Sequence, residues 1–349
     1  MTLTVICPAR NPRLSAVLAH GLQGVDHRVV TRPEELCGLG GQRLLFALSV
    51  GQYGPGEDYL RLLVHLRSHP DLLDGCTAGM IVDGAGELYT KSTATELALA
   101  ANLCGCAFVG RPLVEGTGSL DNFQVRAGLI SGTVEDAYRA ETRELIQRLL
   151  DWTPVRKERP ELLVLHASTH HVSNTMDLWE QTKTRLGDRV RVTELGLRNG
   201  TLSDCSGCPY TMCLHFGEKG ECFYGGLMQQ EVYPAVRRAD AVLMLCPNYN
   251  DALSANLTAF INRLTALFRQ MRFYDKPLFG MVVSGYSGGD IVARQLLGAM
   301  NMNKSFHLPG RFTLIERAND PGDALALPGI HGRLDAFADN IIQTICKNG

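Results

Sequence analysis

The chain has 349 residues, 45% of them apolar and 20% charged, with a formal net charge of −2 at pH 7. That length suits two domains, each able to bury its own core, and so balanced a charge excludes the field that a nucleic-acid backbone needs. No apolar run reaches the roughly eighteen residues of a membrane helix. The opening MTLTVICPAR has no basic stretch before its short apolar run, so it reads as a strand and not as a signal peptide, which makes a cytoplasmic setting the expectation.

The first half alternates two patterns. Short apolar runs at 3–7, 28–31, 44–50, 78–83 and 107–109 read as strands, with helical patterns at 14–22, 59–66 and 93–103 between several of them. Five such strands fit a parallel sheet covered on both faces, an α/β doubly wound domain. A helical pattern at 134–152 follows, then the charged segment TPVRKERPE, bracketed by Pro154 and Pro160, which reads as a linker. The expected domains are therefore 1–156, ending in a linker helix, and 157–349.

The second half starts the alternation again. Strands are expected at 162–166, 190–195, 241–246, 278–284 and 311–315. Helices are expected at 174–186, 227–238 and 254–271, from 290 onward, and at 332–346. In 254–271 the apolar residues Leu257, Phe260, Ile261, Leu264, Leu267, Phe268 and Met271 share one helical face, with Ser254 as its cap. In such a sheet ligands bind beyond the carboxyl ends of the strands. Three loops there have unusual composition.

The first loop, 166–175, offers Ser168, Thr169, His170, Ser173, Asn174 and Thr175 at a helix start. Backbone N–H groups, the helix dipole and hydroxyls together suit a phosphate; simple capping is the ordinary alternative. The second, 246–254, places Pro247, Asn248, Tyr249 and Asn250 after a strand, a flat ring among amides that suits a planar ligand rich in heteroatoms. The third, Ser284, Gly285, Tyr286, Ser287, Gly288 and Gly289, lets backbone come close to a ligand. Ordinary exposed turns would use the same residues.

Taken together these loops resemble the NADPH-dependent FMN reductase and iron–sulfur flavoprotein group of flavodoxin-like proteins, over residues 160–345. The group's first loop reads roughly G-S-P-R-x-x-S-N-T. This chain keeps Ser168 and Ser173-Asn174-Thr175 but loses the Gly, Pro and Arg. The group's P-x-Y appears as Pro247-Asn248-Tyr249, and its S-A-x-L-K-x-F-I-D-R as 254–263 with Thr258 and Asn262 in place of Lys and Asp. The resemblance implies two flavodoxin-like domains with five-stranded parallel sheets, the first degenerate. It implies FMN, with its phosphate on the first loop and its ring between 247–250 and 284–289, and a flavin-dependent oxidoreductase fed by NAD(P)H or a protein donor. It also implies a homo-oligomer.

Four of the eleven cysteines, Cys205, Cys208, Cys213 and Cys222, lie in one polar loop with spacing C-x2-C-x4-C-x8-C. The other seven, the Cys104-Gly105-Cys106 pair among them, read as buried small hydrophobes. Iron–sulfur members of the group carry four cysteines after the same strand, in the compact form C-x2-C-x2-C with a fourth a few residues on. Here Thr211 stands where the third ligand is expected. A [4Fe–4S] cluster, a four-thiolate zinc site and free thiols are the three alternatives. Two other functions stay open beside the enzyme: an electron-transfer or docking flavoprotein without a substrate of its own, and a flavin-less protein with structural zinc.

Overall fold

The computed structural model describes residues 2–168, 173–198 and 200–347. Thr169 and His170 of the first loop lie outside the described residues. The chain divides into two compact units, Met1–Thr153 with Pro309–Arg311, and Pro154–Leu308 with Phe312–Gly349.

Unit 1 runs β1 (Leu3–Ile6), α1 (Pro12–Gly21), β2 (His27–Val30), β3 (Arg43–Gly51), β4 (Gly54–Pro55), α2 (Glu57–Ser68), β5 (Thr77–Gly84), α3 (Thr90–Leu103), β6 (Ala107–Gly116), α4 (Gln124–Ile130) and α5 (Val134–Asp151). Its parallel strands lie in the order β2-β1-β3-β5-β6. The sheet has six strands and not five, because the two-residue β4 folds back antiparallel on Val50–Gly51. Every residue of β5 is buried, as expected for a parallel strand with helices on both faces.

Helix starts in unit 1 follow from local chemistry. Asn11 caps α1 by accepting the Leu14 N–H at 2.7 Å, just ahead of Pro12. Thr133 and Asp136 form a reciprocal capping box on α5. The buried face of α5, with Tyr138, Leu145 and Leu149, then joins Leu14, Val17 and Leu18 of α1 in one core. Strand β6 outruns its expected end at 109. Gly110-Arg111-Pro112 breaks the ladder, but Arg111 takes φ +52° and the register shifts opposite Ala78–Met80, so pairing resumes at Leu113.

Unit 2 runs β7 (Glu161–His166), α6 (Asn174–Leu186), β8 (Arg191–Gly196), α7 (Tyr210–Gly217), α8 (Tyr233–Arg238), β9 (Ala241–Pro247), α9 (Ala255–Arg263), α10 (Thr265–Gln270), β10 (Leu278–Ser284), α11 (Gly289–Leu297), β11 (Thr313–Arg317), α12 (Asp323–Ala326) and α13 (Ile330–Ile345). Its five parallel strands lie in the order β8-β7-β9-β10-β11. Both units thus have the 2-1-3-4-5 winding of flavodoxin-like folds. Trp179 of α6 and Phe337 of α13 join Phe279 of β10 in one core, the two phenylalanine rings meeting edge to face at 6.2 Å.

Two expected helices are interrupted. The stretch 254–271 divides at Leu264, whose ψ of −15° unwinds the turn between α9 and α10. The stretch 227–238 opens as a wide π-helical turn, Met228–Val232, before α8. Pro234 sits in the first turn of α8, where its missing N–H and its ring cannot continue an ordinary α-turn, and the wider turn absorbs the mismatch.

Full burial pushes the His307 imidazole down to about 3. The unfolded chain protonates this residue near pH 6.5 and the folded chain does not, so its contribution to stability is complete above pH 6.5 and is lost as pH falls toward 3. Other groups titrate in this window, so the comparison is with His307→Gln. The wild-type unfolding free energy should fall more steeply between pH 6 and 4, by up to about 1.4 kcal/mol per pH unit. Parallel slopes for the two proteins in denaturant titrations would refute this.

Candidate functional site

In the 2-1-3-4-5 order the crossovers change side between the first and third strands, here β7 and β9, and leave a crevice at their carboxyl ends. A cavity of about 720 Å³ occupies that place. Its wall is made by Ala167 and Ser168 after β7, Ser173–Thr175 at the start of α6, and Pro247–Tyr249 after β9. Leu253–Asn256 at the start of α9, Val283 and Gly285 at the end of β10, and Ala318, Asn319 and Pro321 after β11 complete it. The volume lies within the roughly 300–1,000 Å³ of small-molecule pockets. None of the described lining residues carries a charge.

The loop after β9 is tied to the loop after β10 by one amide. Asn248 Nδ2 donates to Ser284 Oγ at 3.1 Å, to the Ser287 carbonyl at 2.9 Å and to Asp251 Oδ1 at 3.2 Å. With three acceptors around the nitrogen, the amide oxygen must face the other way, and it is buried without a partner. Ser254 Oγ, also in the wall, is likewise buried and unpartnered, and it makes no cap bond to α9. Asn250 and Asp251 both take positive φ, 54° and 56°, in the turn that closes on Ala252. Asn and Asp are the residues that tolerate this conformation best.

At the other end, α6 presents its first turn to the cavity. Ser173 occupies the cap position without a side-chain cap bond, and Thr175 behind it is 3% exposed. Asn174 is committed elsewhere: its Oδ1 accepts the Gly322 and Ala324 N–H groups at 3.1 and 3.2 Å, and its Nδ2 donates to the Asp320 carbonyl at 2.9 Å. It therefore clamps the loop after β11 against the start of α6, leaving only its backbone N–H for a ligand. His166 is half buried with its ring beside Gly196, and burial pushes its imidazole below the usual range.

Of the residues singled out by sequence, the cavity wall contains Ser168, Ser173, Asn174, Thr175, Pro247, Asn248, Tyr249 and Gly285. Ser284 stands behind the wall, 3% exposed, as an acceptor for Asn248. Asn250 shapes the turn, and Tyr286 stands out at 77% exposure. Gly288 and Gly289 serve loop packing: Gly288 has φ +81° with Asp251 Oδ1 1.9 Å from where a Cβ would stand, and Ile315 crowds Gly289 at 2.6 Å. Leu253, Ala255 and Asn256 lie in stretches that the second loop and the 254–263 motif already marked, whereas the loop after β11 was not among the expected site loops. The turn signal Asn319-Asp320-Pro321-Gly322 at a strand end marked that fourth loop.

The corresponding crevice of unit 1 is a smaller cavity of about 200 Å³, lined by Pro8 and Ala9 after β1 and by Ser49 and Gly51 of β3, and an ion pair stands at the start of α1. Arg13 on α1 donates to Asp83 through Nε at 2.8 Å and Nη2 at 3.2 Å, and to the Gly84 and Gly118 carbonyls. Asn11 and Tyr138 add bonds to the same carboxylate at 2.8 and 3.1 Å. At the start of its first helix unit 1 thus has a cation and its partner, where the described cavity wall of unit 2 has uncharged side chains.

The four loop cysteines do not form a ligand set. Among the described residues no three His, Cys, Asp or Glu side chains are placed to hold a metal ion. Cys205 is exposed in an extended run, Cys213 lies on α7, and Cys222 follows that helix in a turn. The stretched spacing distributes the thiols over three local structures, whereas four ligands must converge on one point. Neither the iron–sulfur nor the zinc expectation fits this arrangement.

Residues 160–320 match the sequence profile of the NADPH-dependent FMN reductase family, a family of enzymes. No curated protein matches the chain. Among solved structures, RosB with the bound intermediate 8-demethyl-8-formylriboflavin-5′-phosphate is 11% identical, with TM-score 0.41, covering 53% of this chain and 80% of that one. An NAD(P)H:quinone oxidoreductase from Methanothermobacter marburgensis is 15% identical with TM-score 0.41, covering 52% and 96%. An azoreductase from Bacillus anthracis is 15% identical with TM-score 0.40, covering 52% and 98%. Among the described residues no helix is long and apolar enough to cross a membrane.

Asn174→Ala removes the clamp on 320–324 and leaves three backbone groups to solvent. It should cost about 1–2 kcal/mol in denaturant titrations and raise amide exchange at Gly322 and Ala324. Unchanged exchange there would contradict the clamp. Gly288→Ala should cost more, because it adds left-handed strain to a clash.

Proposed function

We propose that unit 2 is an FMN-dependent, NAD(P)H-oxidising reductase domain whose cofactor occupies the cavity at the β7–β9 crevice. What carries the proposal is the coincidence of that cavity with the first turn of α6, inside the segment that matches the FMN reductase profile. The residues present suit the group. Hydroxyls of Ser168, Ser173 and Thr175 and the N–H groups opening α6 offer a phosphate hydrogen bonds and the positive end of a helix dipole. Thr169 and His170 belong to the same loop by sequence.

The planar ring would lie along Pro247–Tyr249 and Gly285, where the orphaned Asn248 oxygen and Ser254 hydroxyl wait for polar partners. The flavin supplies hydride and electron transfer when bound. The chain's own part is to hold and orient it: the Asn248 amide fixes the two ring-side loops to each other, and the Asn174 clamp fixes the wall beyond the phosphate. Tyr249 and Tyr286, 63% and 77% exposed, offer flat faces at the mouth for a nicotinamide donor or a planar acceptor. No electron route is drawn through the cysteine loop. Unit 1, with a cavity of about 200 Å³ at its crevice and the Arg13–Asp83 ion pair at the start of α1, would add no second flavin.

The purified protein should carry, or take up from added FMN, a chromophore absorbing near about 370 and 450 nm. Adding NADPH or NADH should bleach it, and an added quinone should sustain turnover. Ser173→Ala should weaken FMN binding by about tenfold, the loss of one hydrogen bond to a charged group. A protein that neither holds nor takes up FMN sinks the proposal. FMN bound without nicotinamide oxidation would instead favour an electron carrier.

A further inference from the structure

The described wall of the unit 2 cavity offers a phosphate hydroxyls, N–H groups and a helix start, but no cation. A phosphate monoester carries about two negative charges at neutral pH, and a guanidinium within reach adds strongly to its binding. Arg198 brings one. Strand β8 ends at Gly196, paired with His166, the last residue of β7. Leu197 is then held from both sides: its N–H donates to the His166 carbonyl at 2.7 Å, and its carbonyl accepts Nδ2 of the wall residue Asn256 at 2.6 Å. The Arg198 N–H folds back on the Gly196 carbonyl at 3.1 Å, and the Thr201 hydroxyl donates to the Arg198 carbonyl at 2.8 Å. These bonds fix the Arg198 backbone one residue away from two parts of the wall.

The side chain is also on the right face. Alternation along β7 puts His166 with Leu162 and Val164, which pack against Leu178 and Trp179 of α6. Arg198 Nε and His166 Nε2 are 3.6 and 3.5 Å from the point where a Gly196 Cβ would stand, so the missing side chain of Gly196 leaves room for the arginine to lie back toward β7. Arg198 is exposed, and among the described residues no carboxylate is within ion-pair distance of it. Glu194, two residues before Gly196, is taken by Lys183 at 2.6 Å. Arg317 also adjoins a wall residue, Ala318, but the same alternation turns it with Ile315 toward Gly289 of α11, on the opposite face.

We propose that Arg198 is the phosphate cation of the cofactor site, its guanidinium pairing with the phosphate that Ser168, Ser173, Thr175 and the start of α6 hold. This rests on the FMN reading and adds to it the charge that the described wall lacks. An arginine suits the task because its planar fork presents two N–H groups to two phosphate oxygens at once. The fixed turn at 196–201 supplies the anchor, and the free, exposed side chain supplies the reach. The neighbouring strand thus provides the charge, while the first loop provides the hydroxyls.

The test is to titrate the full chain, freed of bound flavin, with FMN and with riboflavin, which differ only in the phosphate, and to follow flavin fluorescence. The wild type should prefer FMN, and added salt should narrow the preference, because an exposed charge pair is screened. Arg198→Gln should weaken FMN binding by about tenfold to thirtyfold and leave riboflavin binding unchanged. Arg198→Lys should recover part of the loss, keeping the charge without the fork. Three results would overturn the proposal: FMN affinity untouched by Arg198→Gln, equal losses for FMN and riboflavin, or a raised KM for NADPH but not NADH with FMN affinity intact, which would assign the cation to the donor's phosphate. All three leave the FMN reading standing. A wild-type chain that binds neither flavin sinks both.

Discussion

Parallel strands cannot be joined by tight turns, so each connection must cross a face of the sheet, and a chain that winds outward in both directions must start somewhere inside it. That starting point lies between the first and third strands of each unit, and no helix covers it. Backbone N–H groups of the first helix and loops from three more strands face the gap. The chemistry of this molecule depends on what each unit does with that opening. Unit 2 leaves it as a cavity walled by hydroxyls, amides and apolar groups. Unit 1 narrows it to a cavity of about 200 Å³ and sets the Arg13 guanidinium against the Asp83 carboxylate at the start of α1, five hydrogen bonds to that carboxylate or to the Gly84 and Gly118 carbonyls coming from Arg13 and Asn11 alone.

The difference is one of charge placement. In unit 1 a cation stands at the start of the first helix, already neutralised by Asp83 of β5. In unit 2 the described lining is neutral, and a buried cation, Arg263, lies at the far end of α9 instead. Seven residues separate Asn256 in the cavity wall from Arg263, about 10 Å along the helix axis. The same helix therefore borders the polar cavity at its start and anchors the cysteine-bearing loop through Arg263 at its end.

The sequence was most legible where one physical rule acts alone. Helix α6 begins at Asn174 and ends at Leu186 as expected, its end set by Gly187 in a left-handed conformation. Strand β10 matches 278–284, an unbroken apolar run buried on both faces. Legibility failed where two rules competed. Gly110 and Pro112 signalled a stop that a bulge overrode, and Pro234 forced a π-turn inside an apolar helical pattern. The face from Leu257 to Met271 kept its spacing through a break at Leu264, since periodicity reports burial and not continuity of the backbone. At the cavity, the loops rich in hydroxyls and amides were found by composition. The wall from Ala318 to Pro321 was passed over because its composition is that of any turn. The four cysteines show the opposite error, in which density along the chain suggested a convergence in space that the fold does not make.

The Asn174 clamp also sets an order of events. It joins the first helix of unit 2 to a loop nearly 150 positions later, with backbone partners at Asp320, Gly322 and Ala324. A ribosome releases those partners last among the cavity's components. While β7, α6 and β9 are already outside the exit tunnel, the crevice lacks one wall and α6 lacks the contact that fixes its first turn. A nascent chain can therefore assemble most of the sheet before it has a competent pocket, and completion of the site becomes a late checkpoint in synthesis.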